Sequence, residues 1–406
     1  MLVKMPKIIW FVLISLMLGV SVSAAQHQHK GMAKKQENTC TSISISCAKT
    51  VTSAFAPNGD LWRLWSVQQA LYFEISKDNG LNFSQPEKVS IPAEDISARN
   101  ENRPKIAFDK FKGVYLSWAK PREKKYTADV RFSYSSDYGS TFSTPVTVNN
   151  DNLLAGHSFN ELLVTPEGDI SIVWLDGRLS YQLRKQGKES NGSALFLAEA
   201  NIREGKSEFS NQQLANGTCV CCRIAMDFNQ QGNLAILWRH IYGDNIREFA
   251  LITVNEQQTP IQVSHDHWYI NGCPHHGGGI SIAEDNRYHL VWFNQGEKGK
   301  GIFYAHSDDQ GLTLTAPLAV GEQTKQAMHP HLINNGHQVD IVWMQFDGKK
   351  HQLWHQRSTD NGKSFGKPTV LATAPSGADR PFLIKHNGVS YVSWQKHKIG
   401  HWIKVL

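Results

Sequence analysis

The sequence of 406 residues lacks an apolar run long enough to span a membrane. Its longest run, residues 8–20, has 13 residues, whereas a transmembrane helix needs about 20. Lys4 and Lys7 precede this run, and the small residues of SVSAA follow it. This pattern is typical of a cleaved export signal, here residues 1–24. We therefore expect a periplasmic or secreted protein without stable membrane insertion.

The sequence also has little net charge, formally +6, and no clustered stripe of Lys and Arg. A domain that binds nucleic acid usually carries such a stripe or a platform of aromatic side chains. We therefore expect no nucleic-acid partner. Residues 25–40 are polar and contain no Phe, Trp or Tyr, a composition that predicts a flexible leader ahead of the folded part of the chain.

The sequence also lacks the apolar periodicity of an α-helix. It contains instead short segments rich in Val, Ile, Phe, Tyr and Thr, which are typical of β-strands. Seven of these segments contain a Trp at a regular interval: Trp65, Trp118, Trp174, Trp238, Trp292, Trp343 and Trp394. The intervals are 53, 56, 64, 54, 51 and 51 residues. A four-stranded unit repeated at about 50 residues is typical of a β-propeller blade.

A turn motif of the form S-x-D-x-G recurs four times, with its aspartates at Asp78, Asp137, Asp309 and Asp360. The carboxylate of such an aspartate can accept N–H groups of its own turn, and the glycine supplies a positive φ. We therefore interpret these aspartates as structural. An aromatic residue closes three of the four turns, and we expect it to anchor the turn to the apolar layer.

These four motifs resemble the Asp-box, or BNR, repeats of sialidase-like propeller proteins, and the resemblance covers residues 47–406. It implies an all-β fold of four-stranded antiparallel blades over residues 41–406, seven-bladed by the Trp count with six blades as the alternative. The last unit stops after its third strand, so we expect residues 41–46 to supply the missing outer strand. Since this fold occurs with many functions, function must be argued from the site.

Four of the six cysteines open the fourth and fifth units, in NGTCVCCRIAMD and YINGCPHHGGGI: Cys219, Cys221, Cys222 and Cys273. The first strand of a propeller blade lines the central channel, so we expect these thiols to converge near the axis. Along a strand, Cys219 and Cys221 would point to one face and Cys222 to the other. The arrangement resembles a subgroup of exported BNR-repeat proteins with a cysteine-rich fourth blade and a later Cys-Pro.

Two interpretations of the cysteines stay open. In an exported protein, disulfides are expected, for example Cys40 with Cys47 and one of the fourth-unit thiols with Cys273. Alternatively, the thiols and the imidazoles of His275 and His276 form a soft-metal site, with copper as the preferred ion. The spacing matches no zinc-finger pattern.

The resemblance to sialidases implies arginines that bind a substrate carboxylate, a tyrosine nucleophile and an acidic residue on the channel face. The matching candidates are Arg103 in NRPKI, Arg380 in DRPFL and Asp176 in WLDGR. The first unit has Cys47-Ala48-Lys49 where that family has Arg-Ile-Pro. Arg239, Arg247 and Asp266 are further candidates for contact with a ligand.

Together these features predict an exported propeller that binds a ligand at its channel face. The preferred ligand is a soft metal ion such as copper, or a small anionic or carbohydrate molecule. The alternatives are an exo-α-sialidase that acts on terminal sialic acids and a scaffold for protein partners.

Overall fold

The computed structural model describes residue 40 and residues 42–257, 259–375 and 377–406. The predicted export signal and nearly all of the predicted leader lie outside these residues. Thr41–Leu406 forms one compact unit. Among the described residues, no helix has both the length and the apolar character needed to cross a membrane.

The chain is almost entirely β-structure, arranged as successive antiparallel meanders. The strands of the first four groups are β1 (Val51–Phe55), β2 (Leu61–Val67), β3 (Ala70–Ser76), β4 (Glu87–Lys88); β5 (Lys105–Phe108), β6 (Val114–Pro121), β7 (Ala128–Ser135), β8 (Val146–Thr147); β9 (His157–Val164), β10 (Asp169–Asp176), β11 (Ser193–Asn201), β12 (Lys206–Thr218); and β13 (Ala225–Phe228), β14 (Leu234–Tyr242), β15 (Ile246–Thr253), β16 (Ile261–Gln262).

The remaining groups continue the same order. Their strands are β17 (Gly279–Ile282), β18 (Tyr288–Gly296), β19 (Gly299–Ser307), β20 (Leu318–Val320); β21 (Met328–Asn335), β22 (Gln338–Phe346), β23 (His351–Ser358), β24 (Thr369–Ala374); and β25 (Phe382–His386), β26 (Val389–Lys396), β27 (Gly400–Val405). The third and fourth groups share one eight-stranded sheet, which the pair Thr218↔His240 joins.

The first strands of the groups contact one another in cyclic order, from β1 through β5, β9, β13, β17, β21 and β25 and back to β1. Side chains that precede these strands in the sequence therefore meet at one end of the ring. The hydrophobic core lies between neighbouring sheets; one cluster, for example, joins Trp62 and Phe73 of the first group to Ile106 and Trp118 of the second. The predicted all-β fold of four-stranded antiparallel units is confirmed.

The recurring Trp residues occupy equivalent places in the second strand of each group, and none is more than 1% exposed. Burial of a side chain of this size is worth several kcal/mol, on the order of 3 or more relative to Ala. This repeated burial explains why the Trp interval is the clearest repeat signal in the sequence.

The Asp-box turns, which follow β3, β7, β19 and β23, have the predicted hydrogen bonds. In the second, Asp137 Oδ1 accepts the N–H of Thr141 at 2.9 Å and the hydroxyl of Ser135 at 2.7 Å, and Gly139 has a φ of 89°. The hydrogen bonds from Thr141 and Ser135 lower the pKa of Asp137 to about 2. The aspartates of these turns are therefore structural, as predicted.

Two local predictions are wrong. Ile45–Cys47 forms a 3-10 helix rather than a fourth strand beside β27, and Gln395 donates hydrogen bonds to the carbonyls of Ile45 and Ala48. The segment contacts the last sheet, but as a helical turn that Ser44 caps. In addition, a helix, α1 (Arg178–Lys185), lies between β10 and β11, although the sequence indicated no helix.

Candidate functional site

Three cysteines lie in a turn, residues 219–222, between the end of β12 and the beginning of β13. The Sγ atoms of Cys219, Cys221 and Cys222 all lie within 4.8 Å of one another, and those of Cys219 and Cys221 are 3.7 Å apart. The prediction that Cys222 points away from the other two is wrong, because the backbone here is a turn and not a strand. We call these buried thiols the inner set.

A second group of potential metal ligands adjoins the first. Ligand atoms of Cys221, Cys273 and His275 also lie within 4.8 Å of one another. Cys273 and His275 are exposed and belong to the connection between β16 and β17. His275 has a φ of 55°, a left-handed conformation that residues other than glycine adopt rarely. We call Cys221, Cys273 and His275 the outer set; Cys221 belongs to both sets.

The cysteines divide into bonded and free residues. Cys40 and Cys47 are disulfide-bonded, as the sequence predicted. Cys219, Cys221, Cys222 and Cys273 are free thiols, so the expected second disulfide to Cys273 is not formed. The four thiols that open the fourth and fifth units thus have the chemical form that a soft metal requires.

Within the inner set, one cysteine loses its proton more readily than the other two. Hydrogen bonds from Cys221 and Cys222, together with the charge of Arg239, lower the pKa of Cys219 well below its ordinary value. The hydrogen bond with Cys219 raises the pKa of Cys221, and burial raises that of Cys222. Cys219 is therefore the first sulfur to carry a negative charge, and its two neighbours stabilise that charge.

Two buried arginines hold the backbone that carries these ligands. Arg239 donates to the carbonyls of His276, Arg247 and Phe293 at 3.1, 3.3 and 2.7 Å. Arg247 donates to the carbonyl of Ile270 at 3.3 Å. Both were predicted to contact a ligand; in the structure, one donor of each holds a carbonyl of the segment around Cys273, that of His276 for Arg239 and that of Ile270 for Arg247.

Asp266, the third predicted ligand contact, is buried beside the same segment. Its carboxylate accepts the indole N–H of Trp292 at 2.7 Å. Burial raises its pKa to about 6. Its role in the structure is to anchor the connection that leads to Cys273.

A cavity of about 160 Å³ lies beside the inner set. Cys219, Cys273 and Arg247 are among its lining residues. The cavity therefore adjoins one thiol of the inner set and one of the outer set.

A different group of polar side chains lies where the first strands begin: Glu101, Arg223, His276, His329 and Arg380. We call it the hub cluster. Glu101 Oε1 is 3.6 Å from both Arg223 Nε and His329 Nδ1. Burial alone would raise the pKa of Glu101, but His329, Arg223 and Arg380 outweigh burial and lower it.

Several buried nitrogen atoms of the hub cluster have no hydrogen-bond partner among the described residues. These atoms are Nε of Arg223 and Arg380 and Nδ1 of His276 and His329. Because an unpaired buried donor is costly, such a group indicates a site for water or a polar ligand. Of these residues, the sequence analysis selected Arg380 as a catalytic candidate and His276 as a metal ligand. The remaining signal in the sequence is position, because every member of the hub cluster precedes or begins the first strand of a group.

The ring of His276 contacts different residues from the other predicted metal ligands. Its ring stacks on Phe293 at 4.1 Å and on His329 at 4.5 Å, and burial lowers its pKa to about 2. It does not occur in any of the three groups of potential metal ligands found among the described residues.

Two of the three predicted catalytic residues, Arg103 and Asp176, have protein partners for their charged groups. Arg103 is fully buried, and its guanidinium pairs with Asp379 at 2.7 Å. Asp176, also fully buried, accepts the indole N–H of Trp174 at 2.8 Å and the N–H of Arg178 at 2.9 Å. Of the three predicted residues, only Arg380 has an unpaired buried donor at the hub together with partial exposure.

Asp176 belongs to a further group of potential metal ligands, with Asp151 and His157. His157 Nε2 is 3.0 Å from Asp151, and Arg178 pairs with both carboxylates, at 3.0 and 2.8 Å. Since a guanidinium already neutralises these carboxylates, we interpret the group as a structural ion-pair network.

Comparisons with known proteins show the fold. No protein family and no curated protein sequence matches the chain. The lectin BP39L from Burkholderia pseudomallei is similar in structure, with a TM-score of 0.57 and 11% identity over 89% of this chain and 99% of the lectin. A PL25 polysaccharide lyase, an ulvan lyase, has a TM-score of 0.56 and 10% identity over 90% of this chain and 93% of its own.

A protein of unknown function from Dyadobacter fermentans has a TM-score of 0.51 and 15% identity over 77% of this chain and 95% of its own. These likenesses, together with the ring of antiparallel sheets, define the class: a propeller-type all-β protein. At such identities they show the fold alone, and the function must be argued from the residues described above.

Proposed function

We propose that this protein binds a soft, thiophilic metal ion, Cu(I), through the inner set Cys219, Cys221 and Cys222. The observation that carries the proposal is the clustering of three buried Sγ atoms within 4.8 Å of one another. Soft thiolate ligands select Cu(I), Zn and iron–sulfur clusters over harder ions. The predicted export signal, residues 1–24, supports placing this binding in the periplasm or outside the cell.

The sulfur separation supports a shared ion. Thiolates bonded to one metal at about 2.3 Å lie roughly 3.8–4.0 Å from each other in tetrahedral or trigonal geometry. The Sγ atoms of Cys219 and Cys221 are 3.7 Å apart. A metal would therefore fit between them with little movement of the turn.

The number of ligands favours Cu(I) over Zn. Structural zinc sites almost always have four ligands, whereas the inner set offers three. Three thiolates and one Cu(I) would carry a charge of about −2 in a buried place, which requires compensation. Arg239 is 2% exposed, and its positive charge interacts with Cys219 and Cys222.

The test is a Cu(I) titration of the anaerobically purified protein against the chelator bathocuproine disulfonate. We expect a single Cu(I) ion per chain, with ultraviolet thiolate-to-copper absorption. Cys222→Ser should weaken binding at least about tenfold. Val220→Ser, in the same turn but without a ligand atom, is the matched control. Equal affinity of Cys222→Ser and the wild type would exclude the inner set.

A second candidate function is the binding of an anionic carbohydrate at the hub cluster. The observation that favours it is the buried Nε of Arg380, which has no hydrogen-bond partner among the described residues, because guanidinium groups suit carboxylates. Arg103 takes no part in this proposal, since Asp379 already binds it.

Calorimetric titration with glucuronic acid and with sialic acid tests this second function. Arg380→Ala should weaken binding about tenfold or more, while Lys110→Ala, a change of an exposed cation, should not. A fluorogenic sialoside tests the sialidase alternative in the same preparations. No heat of binding and no hydrolysis would remove both carbohydrate proposals.

A further inference from the structure

Cys221 is common to the inner and the outer set, and the two sets differ in exposure. The inner thiols are 1%, 6% and 2% exposed, whereas Cys273 and His275 lie at the surface. A metal ion bound by the outer set would thus touch solvent, and one bound by the inner set would not.

The outer set is held in place by residues outside it. Arg247 donates to the carbonyl of Ile270, and its own N–H donates to the carbonyl of Trp268 at 2.8 Å. Arg239 donates to the carbonyl of His276 on the other side of Cys273 and His275. The segment is therefore fixed at both ends next to Cys221, and the outer ligands need little ordering to bind.

We propose that the outer set is a transfer site, at which an incoming Cu(I) ion first binds Cys221, Cys273 and His275 before it passes to the inner set. The inference rests on the proposed Cu(I) binding by the inner set. The cavity lined by Cys219 and Cys273 provides the space between the two positions. The shared sulfur keeps the ion bound throughout.

The transfer is an exchange of ligands without any change of oxidation state. The bonds from copper to Cys273 Sγ and to the His275 imidazole break, and bonds to Cys219 Sγ and Cys222 Sγ form. The bond to Cys221 Sγ is retained. Any protons on the Cys219 and Cys222 thiols leave; one is taken up by the released Cys273 thiolate, and any other passes to solvent. His275 leaves as the neutral imidazole.

Stopped-flow loading of the full protein from the Cu(I)–bathocuproine complex tests this order of events. The double variant Cys273→Ser/His275→Ala should load at least about tenfold more slowly. Its equilibrium affinity should change by less than about threefold, because the inner ligands remain. His265→Ala, another exposed histidine of the same connection, is the matched control and should load like the wild type.

Alkylation of the wild-type protein gives a second readout that needs no variant. After loading, Cys273 should still react with iodoacetamide, while mass spectrometry should find the three inner thiols protected. An unchanged loading rate in the double variant, or protection of Cys273 equal to that of Cys222, would overturn the transfer site. Both results leave the proposed function standing, whereas a wild type that retains no Cu(I) ends both proposals.

Discussion

The Asp-box turns and the cysteine turn differ in where their side chains find partners. In the Asp-box turns, the carboxylate and the serine hydroxyl are satisfied by the turn itself, as Asp137 and Ser135 show. In the cysteine turn, the three thiols lie close to one another, and Cys221 also lies close to Cys273 and His275 of another connection. A turn that closes its own hydrogen bonds is structural, and one that gathers unused ligand atoms is a candidate site.

The largest expected effect is a loss of Cu(I) affinity when a sulfur of the cysteine turn is removed. Cys221→Ser removes the sulfur that both ligand sets share, so Cu(I) affinity should fall about 100-fold or more, which exceeds the loss expected when a group that only orients a metal ligand is removed. Competition with bathocuproine disulfonate measures the loss. Thermal unfolding without metal should change little, because Ser is close to Cys in size. A large loss of stability without metal would instead mark Cys221 as structural.

The next effect breaks an Asp-box turn and leaves the metal site intact. Gly139 has a φ of 89°, and a Cβ there would lie 2.8 Å from Trp62. We expect Gly139→Ala to lower the free energy of unfolding by about 2–4 kcal/mol, from backbone strain and overpacking together.

Gly205→Ala is the matched control for this prediction. Gly205 also has a positive φ, 76°, but a Cβ there would meet no atom within 4 Å. The expected cost is about 1 kcal/mol, from the backbone alone. Chemical denaturation measures both variants, and equal costs would show that contact with Trp62 is unimportant.

A smaller effect is the contribution of Asp266, in the connection that leads to Cys273, to the pH dependence of stability. Burial raises the pKa of Asp266 from 3.8 to about 6. Because the folded state holds this proton more tightly than the unfolded state, Asp266 should lower stability progressively as pH rises from about 4 to about 6. Asp266→Asn should flatten this part of the denaturation profile. A profile identical to that of the wild type would contradict the buried, protonated carboxyl.

The smallest effect concerns the Asp-box turns, where the contribution of an aspartate to stability rises with pH instead of falling. Hydrogen bonds from Thr141 and Ser135 lower the pKa of Asp137 to about 2. Its contribution to stability is therefore complete above about pH 4 and is lost as pH falls toward 2. Asp137→Asn should reduce the steepness of acid unfolding in that window. Circular dichroism during acid titration measures it, and an unchanged slope would refute the prediction.

The repeats were predictable because their causes are local or periodic. The Trp interval reports one buried position in every unit, and the S-x-D-x-G turns close their own hydrogen bonds. The disulfide-bonded state of Cys40 and Cys47 was expected from the predicted export of the protein. The fold class and the structural role of the turn aspartates were therefore correct from the sequence alone.

The site was only partly predictable, because its geometry depends on contacts between units. Expecting a strand at Cys219–Cys222 placed Cys222 on the wrong side, whereas the chain turns there. Adjacency to Cys273 suggested His276 as a ligand, yet its ring stacks on Phe293 and His329. The hub cluster could not be predicted from the sequence, because its members come from different units and meet only when the ring of sheets forms.

By itself the sequence determined that repeated four-stranded sheets form, because alternating apolar residues, a periodic Trp and self-closing turns act within about 50 residues of chain. Only the tertiary structure decided which polar groups are satisfied and which remain free. Arg103 and Asp379 are 276 residues apart and form a buried ion pair, whereas Cys221 lies close to potential ligands from two neighbouring units. The reason is physical: burial and long-range packing, not local preference, determine whether a thiol or a guanidinium has a partner.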